Sequence, residues 1–187
     1  DQMRGAAATD GSPLSSARHA WQRMARWKLL MRQVGHSTMA AGVVAAVGLL
    51  DDLGFGRGPL LKLAISLAAA TATVALTDVY VSHINTPILS QLFDYTPLAI
   101  AVSILALAGM CHGVNLIDGL HGLALSFAVI AFGALTTIAL SVGESKIAGL
   151  AVCLAGACLG LMAFNFPSGS IFTGDVGSYF LGFVLAW

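Results

Sequence analysis

Apolar residues in this chain come in long unbroken runs, and the polar breaks between them are rich in Gly and Asp. The runs cover residues 38–50, 60–77, 98–111, 122–140 and 147–164. Most approach the roughly 20 residues that an α-helix needs to cross a bilayer. The run at 38–50 is too short alone and extends back towards Val34 only through Gly35, His36 and Ser37. A sixth run, 179–187, covers about half a bilayer core at about 1.5 Å per residue, so the sequence reads as ending in mid-helix. The pattern predicts an all-α fold, a polytopic transmembrane helix bundle with about five to six spans. Two segments are expected. Residues 38–187 form an incomplete membrane core, and residues 1–37 form a polar, basic lead-in. That lead-in interleaves Arg18, Arg23, Arg26, Lys28 and Arg32 with Trp21 and Trp27, and reads either as an amphipathic surface helix or as disordered.

Composition sharpens this picture. Of 187 residues, 57% are apolar and only 10% charged, and nine bases balance nine acids. These values exclude a disordered chain, a nucleic-acid-binding module and an ordinary soluble domain. No signal-peptide pattern opens the chain. Cys111, Cys153 and Cys158 lie in apolar stretches without disulfide or zinc spacing, and are read as small buried residues. In the fifth run, Gly149, Gly156 and Gly160 are spaced for close helix packing. The acids are eight Asp and one Glu. A charge inside an apolar chain is costly, so the positions of those Asp residues matter.

Parity gives the positions. If Asp51 and Asp52 lie on one membrane face, the run from 60 crosses away and the run from 98 returns, bringing Asp118. The run from 122 crosses away and the run from 147 returns, bringing Asp175. Three polar loops thus converge on one face with four of the eight Asp residues. The opposite face receives Asp78, Asp94 and Glu144. The stretch 78–97, with Tyr80, His83, Pro87 and Pro97, reads as an extramembrane connection. Orientation is not settled by charge. Arg57 and Lys62 fall on the Asp face and Lys146 opposite, while the basic lead-in conflicts with a simple first span.

Each loop carries candidate chemistry beside a plainer alternative. Asp51 and Asp52 are neighbours on a helix end, about 100° apart, so one can face a ligand while the other faces elsewhere. Their proximity suits a base or proton-sharing pair, or they simply cap the helix at the interface. Asn115 and Asp118 would share one side of a helical turn, a spacing that suits Mg²⁺, or Asp118 is an N-cap. Asp175 stands close to Gly174 and Gly177, just before an apolar run, with Ser178 as a candidate N-cap over a phosphate, or the segment is a turn. Acids gathered on one face beside few cations suggest a divalent-metal site for an anionic substrate, with Lys62 and Arg57 able to bind phosphate. No Ser-His-Asp set, Gly-rich Lys loop or zinc motif is present.

The segments LLDDLGFGRGPLLKL, GVNLIDGLHGLA and NFPSGSIFTGDVGSYFLGF resemble three motifs of the polyprenyl-phosphate N-acetylhexosamine-1-phosphate transferases, in that family's order and membrane parity. The resemblance covers about residues 43–187. It implies a phosphotransferase that turns a UDP-N-acetylhexosamine and polyprenyl (undecaprenyl) phosphate into polyprenyl-diphospho-sugar and UMP. It also implies Mg²⁺, with Mn²⁺ as an alternative, and work on the cytoplasmic face of a plasma or inner membrane, in cell-envelope polysaccharide synthesis. By that similarity the catalytic residues are Asp51, Asp52 and Asp118, with Asp51 positioning or deprotonating the lipid phosphate. Lys62, Asn115, Asp118 and His121 contact substrate, and Asn115 and Asp175 ligate the metal. The bilayer and a homodimer complete the implied partners. The chain departs from the family pattern in carrying His121 where an acid or Asn is usual and His112 where Asn is usual. An early Pro/Arg/Gly-rich motif and a late His-rich loop are not in this sequence. Two other classes stay open, an intramembrane-Asp cation or proton transporter and an inactive fragment or non-catalytic membrane subunit. The Asp residues at run ends, away from the bilayer midplane, favour the transferase over the transporter.

Overall fold

The computed structural model describes residues 13–55, 58–82 and 93–187. Arg57, His83 and Pro87, and residues 1–12, lie outside the described residues, as do the side chains of Trp21 and most of the basic lead-in. Six helices are described: α1 Pro13–Asp52, α2 Pro59–Thr77, α3 Thr96–Ile117, α4 Leu123–Ser141, α5 Ser145–Asn165 and α6 Gly174–Ala186. No strand occurs among the described residues. Backbone contacts divide the chain into two units, 1–35 and 36–187.

The apolar runs become helices with two differences in extent. The run at 38–50 is the C-terminal part of the 40-residue α1, whose backbone continues helically through Gly35, His36 and Ser37. The third run continues beyond Cys111, so that His112 and Asn115 lie on the last turns of α3 rather than in a loop. Apolar flanking residues on α3 outweigh the Gly and polar positions there. In a low-dielectric setting a helix satisfies every backbone group internally. Pro59 and Pro97 open α2 and α3, where a missing N–H costs nothing. Helices α2, α3, α4 and α5 are each long and apolar enough to cross a membrane.

Helix α3 sits centrally, packed against α2, α4 and α6, while α5 packs along α4. One core joins Ala41 and Val44 of α1, Ala70 and Val74 of α2, Leu107 and Cys111 of α3, and Phe183 of α6. A second joins Val114 of α3, Leu125 and Phe132 of α4, Cys158 of α5, and Leu181 of α6. The outward faces are equally apolar: Leu105, Ile130, Ile138 and Val152 are exposed, Ile130 by 71%. Such surface belongs against lipid rather than water. Cys111 and Cys158 are buried as expected, but Cys153 faces outward. Gly149, Gly156 and Gly160 also differ from expectation: nothing among the described residues comes within 4 Å of a Cβ built on any of them.

The parity expected from the runs is the parity of the bundle. The end of α1, the start of α2, the end of α3 and the start of α6 meet at one end. The turn at 142–144 between α4 and α5 belongs to the other end.

Candidate functional site

Lys62, one turn into α2, is the hub of that end. Its ammonium donates to Asp51 Oδ2 at the end of α1 and, at 2.8 Å, to Asp175 Oδ2 at the start of α6. The three side chains are largely shielded, with exposures of 15% for Lys62, 23% for Asp51 and 26% for Asp175. The amide nitrogen of Asn115, near the end of α3, donates to Asp175 Oδ1 at 2.7 Å and to Ser178 Oγ at 2.9 Å. These bonds use only the nitrogen of the Asn115 amide, so they do not engage its carbonyl oxygen, the atom a hard cation takes. Ser178 does not cap α6. It lies within the helix, donates to the Asp175 carbonyl at 3.3 Å and serves Asn115.

Asp52 turns the other way from Asp51, as the 100° separation of helical neighbours requires. Its two oxygens accept the backbone N–H groups of Asp175 at 3.0 Å and Val176 at 3.1 Å. The N-cap residue Thr173 makes no side-chain cap bond, so the first turn of α6 is capped by a carboxylate from α1. The close approach needs two glycines. A Cβ at Gly48 would stand 2.5 Å from the Asp175 carbonyl oxygen, and one at Gly174, where φ is +67°, would stand 2.7 Å from Asp52 Oδ2. At Gly182 a Cβ would meet Cys111 Cα and the Met110 carbonyl oxygen at 2.6 Å, which sets α6 directly on the backbone of α3.

Asp118 is the C-cap residue of α3, not an N-cap, and is half-buried. Burial pushes its carboxyl above the usual carboxylate range. The buried Thr173 hydroxyl stands close enough to pull the other way, though without a well-formed hydrogen bond. The negative charges of Asp175 and Asp52 raise it further. His121 is brought to the same end but not into the carboxylate cluster. It is exposed at the rim, its ring 5.3 Å from that of Phe172 and against the backbone at Gly169.

Asn165, which the sequence does not single out, ties two loops together. Buried at the end of α5, it accepts the Gly122 N–H and donates to the Ile171 carbonyl at 2.8 Å. The only signal in sequence was an Asn at the end of an apolar run, where a polar amide has a partner or a cost. No group of three or more His, Cys, Asp or Glu stands together as a metal-binding set among the described residues.

The description Glycosyl transferase family 4 matches residues 36–187. The chain is 32% identical over 149 residues to the "Probable undecaprenyl-phosphate N-acetylglucosaminyl 1-phosphate transferase" of Bacillus subtilis (strain 168), covering 80% of this chain and 41% of that protein. It is 35% identical over 164 residues to the "Decaprenyl-phosphate N-acetylglucosaminephosphotransferase" of Mycolicibacterium smegmatis, covering 79% and 38% respectively. It is 32% identical over 149 residues to the "Phospho-N-acetylmuramoyl-pentapeptide-transferase" of Bacillus cytotoxicus, covering 75% and 46%. The chain thus spans about two fifths of the length of these relatives.

Proposed function

Because the chain belongs to glycosyl transferase family 4, we propose that it carries the reacting face of a polyprenyl-phosphate N-acetylhexosamine-1-phosphate transferase. The donor is a UDP-N-acetylhexosamine and the acceptor is polyprenyl phosphate. An oxygen of the lipid phosphate bonds to the sugar-bearing β-phosphorus, the bond from that phosphorus to the UMP oxygen breaks, and UMP leaves. The reading places this on the cytoplasmic face of a multi-pass membrane protein. The relatives' names, which carry both the polyprenyl phosphate and the sugar phosphate, support it.

The observation that carries the reading is the bridge of Lys62 between Asp51 and Asp175, with Asn115 held on Asp175. One cation among carboxylates at a membrane surface is what a diphosphate site needs. When phosphate arrives, the ammonium can exchange a carboxylate for a phosphate oxygen and offset its charge. Asp51, released from Lys62, is then placed to orient or deprotonate the lipid phosphate. The Asn115 carbonyl oxygen and the Asp175 carboxylate make a hard-oxygen pair too small to enclose a cation. That fits Mg²⁺, which takes few protein ligands and fills its sphere with water and substrate phosphate. Bound there, such an ion would neutralise diphosphate charge and stabilise the UMP leaving group. Asp118, at the same end, faces the nucleotide side of the reaction. His121 at the rim meets substrate rather than metal. Asp52, whose two oxygens hold backbone N–H groups of α6, acts by placing Asp175.

The test is UMP release from membranes supplied with undecaprenyl phosphate, Mg²⁺ and a panel of UDP-sugars. Asp51→Asn and Asp175→Asn should each lower turnover at least about 100-fold, the scale of losing a group that acts on charge in the transition state. Turnover left intact in either variant would remove that residue from its role, and no UMP with any sugar would remove the reaction.

A further inference from the structure

Beneath the cluster of Lys62, Asn115 and Asp175 lies a second polar tier, one helical turn deeper on each of the same three helices. Ser66 of α2 lies one turn beyond Lys62, His112 of α3 one turn before Asn115, and Tyr179 of α6 one turn beyond Asp175. The two nitrogens of His112 join the other members: Nε2 is 3.0 Å from Ser66 Oγ, and Nδ1 is 3.2 Å from the Tyr179 hydroxyl. Ser66 and Tyr179 are buried.

The directions of these bonds follow from their chemistry. The single hydroxyl proton of Ser66 goes to the Leu63 carbonyl at 2.9 Å, which leaves Ser66 Oγ to accept from His112 Nε2–H. Tyr179 then donates its O–H to Nδ1, which a neutral imidazole leaves open. The His112 and Tyr179 rings meet edge to face, 5.2 Å between centroids at 87°. The Tyr179 ring in turn lies under the Lys62 ammonium, 6.0 Å from its centroid. Polar groups at this depth between apolar helices are costly unless satisfied, and here each member is bonded to the next.

We propose that Ser66, His112 and Tyr179 form a positioning tier that holds Lys62 in place between Asp51 and Asp175, acting through the orientation of the Tyr179 ring. The tier rests on the proposed reading of the upper cluster only for its effect on turnover. His112 is the keystone because its two ring nitrogens bond both other members, Ser66 of α2 and Tyr179 of α6. Its imidazole is long enough to reach both hydroxyls.

Two readouts test this on the membrane protein. The first does not depend on activity: the acylation rate of Lys62 by an amine-reactive acetylating reagent, followed by mass spectrometry relative to the exposed Lys146. Tyr179→Phe removes only the hydroxyl and His112→Leu removes both bonding nitrogens. Each should raise Lys62 labelling about fivefold, the scale of one lost hydrogen bond. His112→Gln keeps a donor and an acceptor and should stay near the original rate. The second readout is UMP-release kinetics, in which kcat should fall about fivefold in the first two variants while KM stays within about twofold. Unchanged Lys62 labelling, or unchanged kcat in an active enzyme, overturns the inference. Absence of UMP release by the unsubstituted protein counts against the proposed reaction alone, and the labelling result still decides the tier. Should His112→Leu fail to fold, Tyr179→Phe, which keeps the ring and its packing, decides by itself.

Discussion

The Lys62 ammonium holds together two carboxylates, Asp51 and Asp175, whose charges would otherwise push the ends of α1 and α6 apart. Adjacent Asp51 and Asp52 divide their work, the first engaging a side-chain cation and the second two backbone N–H groups. Asp118 carries a pH signature. Because burial raises its carboxyl above the usual range, the folded protein keeps that proton to higher pH than the unfolded chain does. Its contribution is therefore fully present below the unfolded value of about 4 and is lost as pH rises through the folded value. Asp118→Asn should remove this decline. Thermal unfolding in detergent from about pH 4 to 7 should then show a flatter stability profile for the variant, and identical slopes would contradict the burial argument.

Among the helices, the arrangement depends on how closely α6 approaches its neighbours. Gly48 and Gly182 are the points of contact, each with partner backbone inside 3 Å of a built Cβ. Gly48→Ala and Gly182→Ala should each destabilise by about 1–3 kcal/mol, the usual cost of overpacking, since the atoms in the way are backbone and cannot rotate aside. Gly156→Ala on α5 meets open space and should be neutral or up to about 1 kcal/mol stabilising through helix propensity. Thermal midpoints of the three variants check the contrast, which fails if all three behave alike. The spacing of Gly149, Gly156 and Gly160 was legible in the sequence, but the direction they face was not. A lipid-facing side is as apolar as a protein-facing one, so nothing in the pattern marks helix rotation.

For the whole molecule, the prediction is one of sidedness. In a background with Cys153 replaced by Ser, single cysteines at Leu120 and Ser168 should be labelled by a membrane-impermeant thiol reagent from one side. A cysteine at Glu144 should be labelled only from the other. Labelling of Leu120 and Ser168 from opposite sides would break the parity on which the site depends. The homology to glycosyl transferase family 4 begins at residue 36, where the second contact unit also begins.

The helical character of the apolar runs and the meeting of Asp51, Asp118 and Asp175 at one end were determined by sequence alone, whereas four helices among the described residues, against about five to six expected spans, are long and apolar enough to cross a membrane. Backbone in an apolar medium must be helical, and the count of crossings then fixes the side of each loop. The spacing of Asn115 and Asp118 predicts that the two share one side of a helical turn, whereas Asn115 bonds Asp175 of α6 and Asp118 ends α3 as its C-cap. Tertiary structure alone decided which groups bond. It took Asp52 out of the cluster to cap α6, left His121 at the rim, and linked His112 to Ser66 and Tyr179. These outcomes depend on the rotation and depth of each helix. Those are set by backbone approach at Gly48 and Gly182, contacts between residues more than a hundred and some seventy positions apart, which no local pattern encodes.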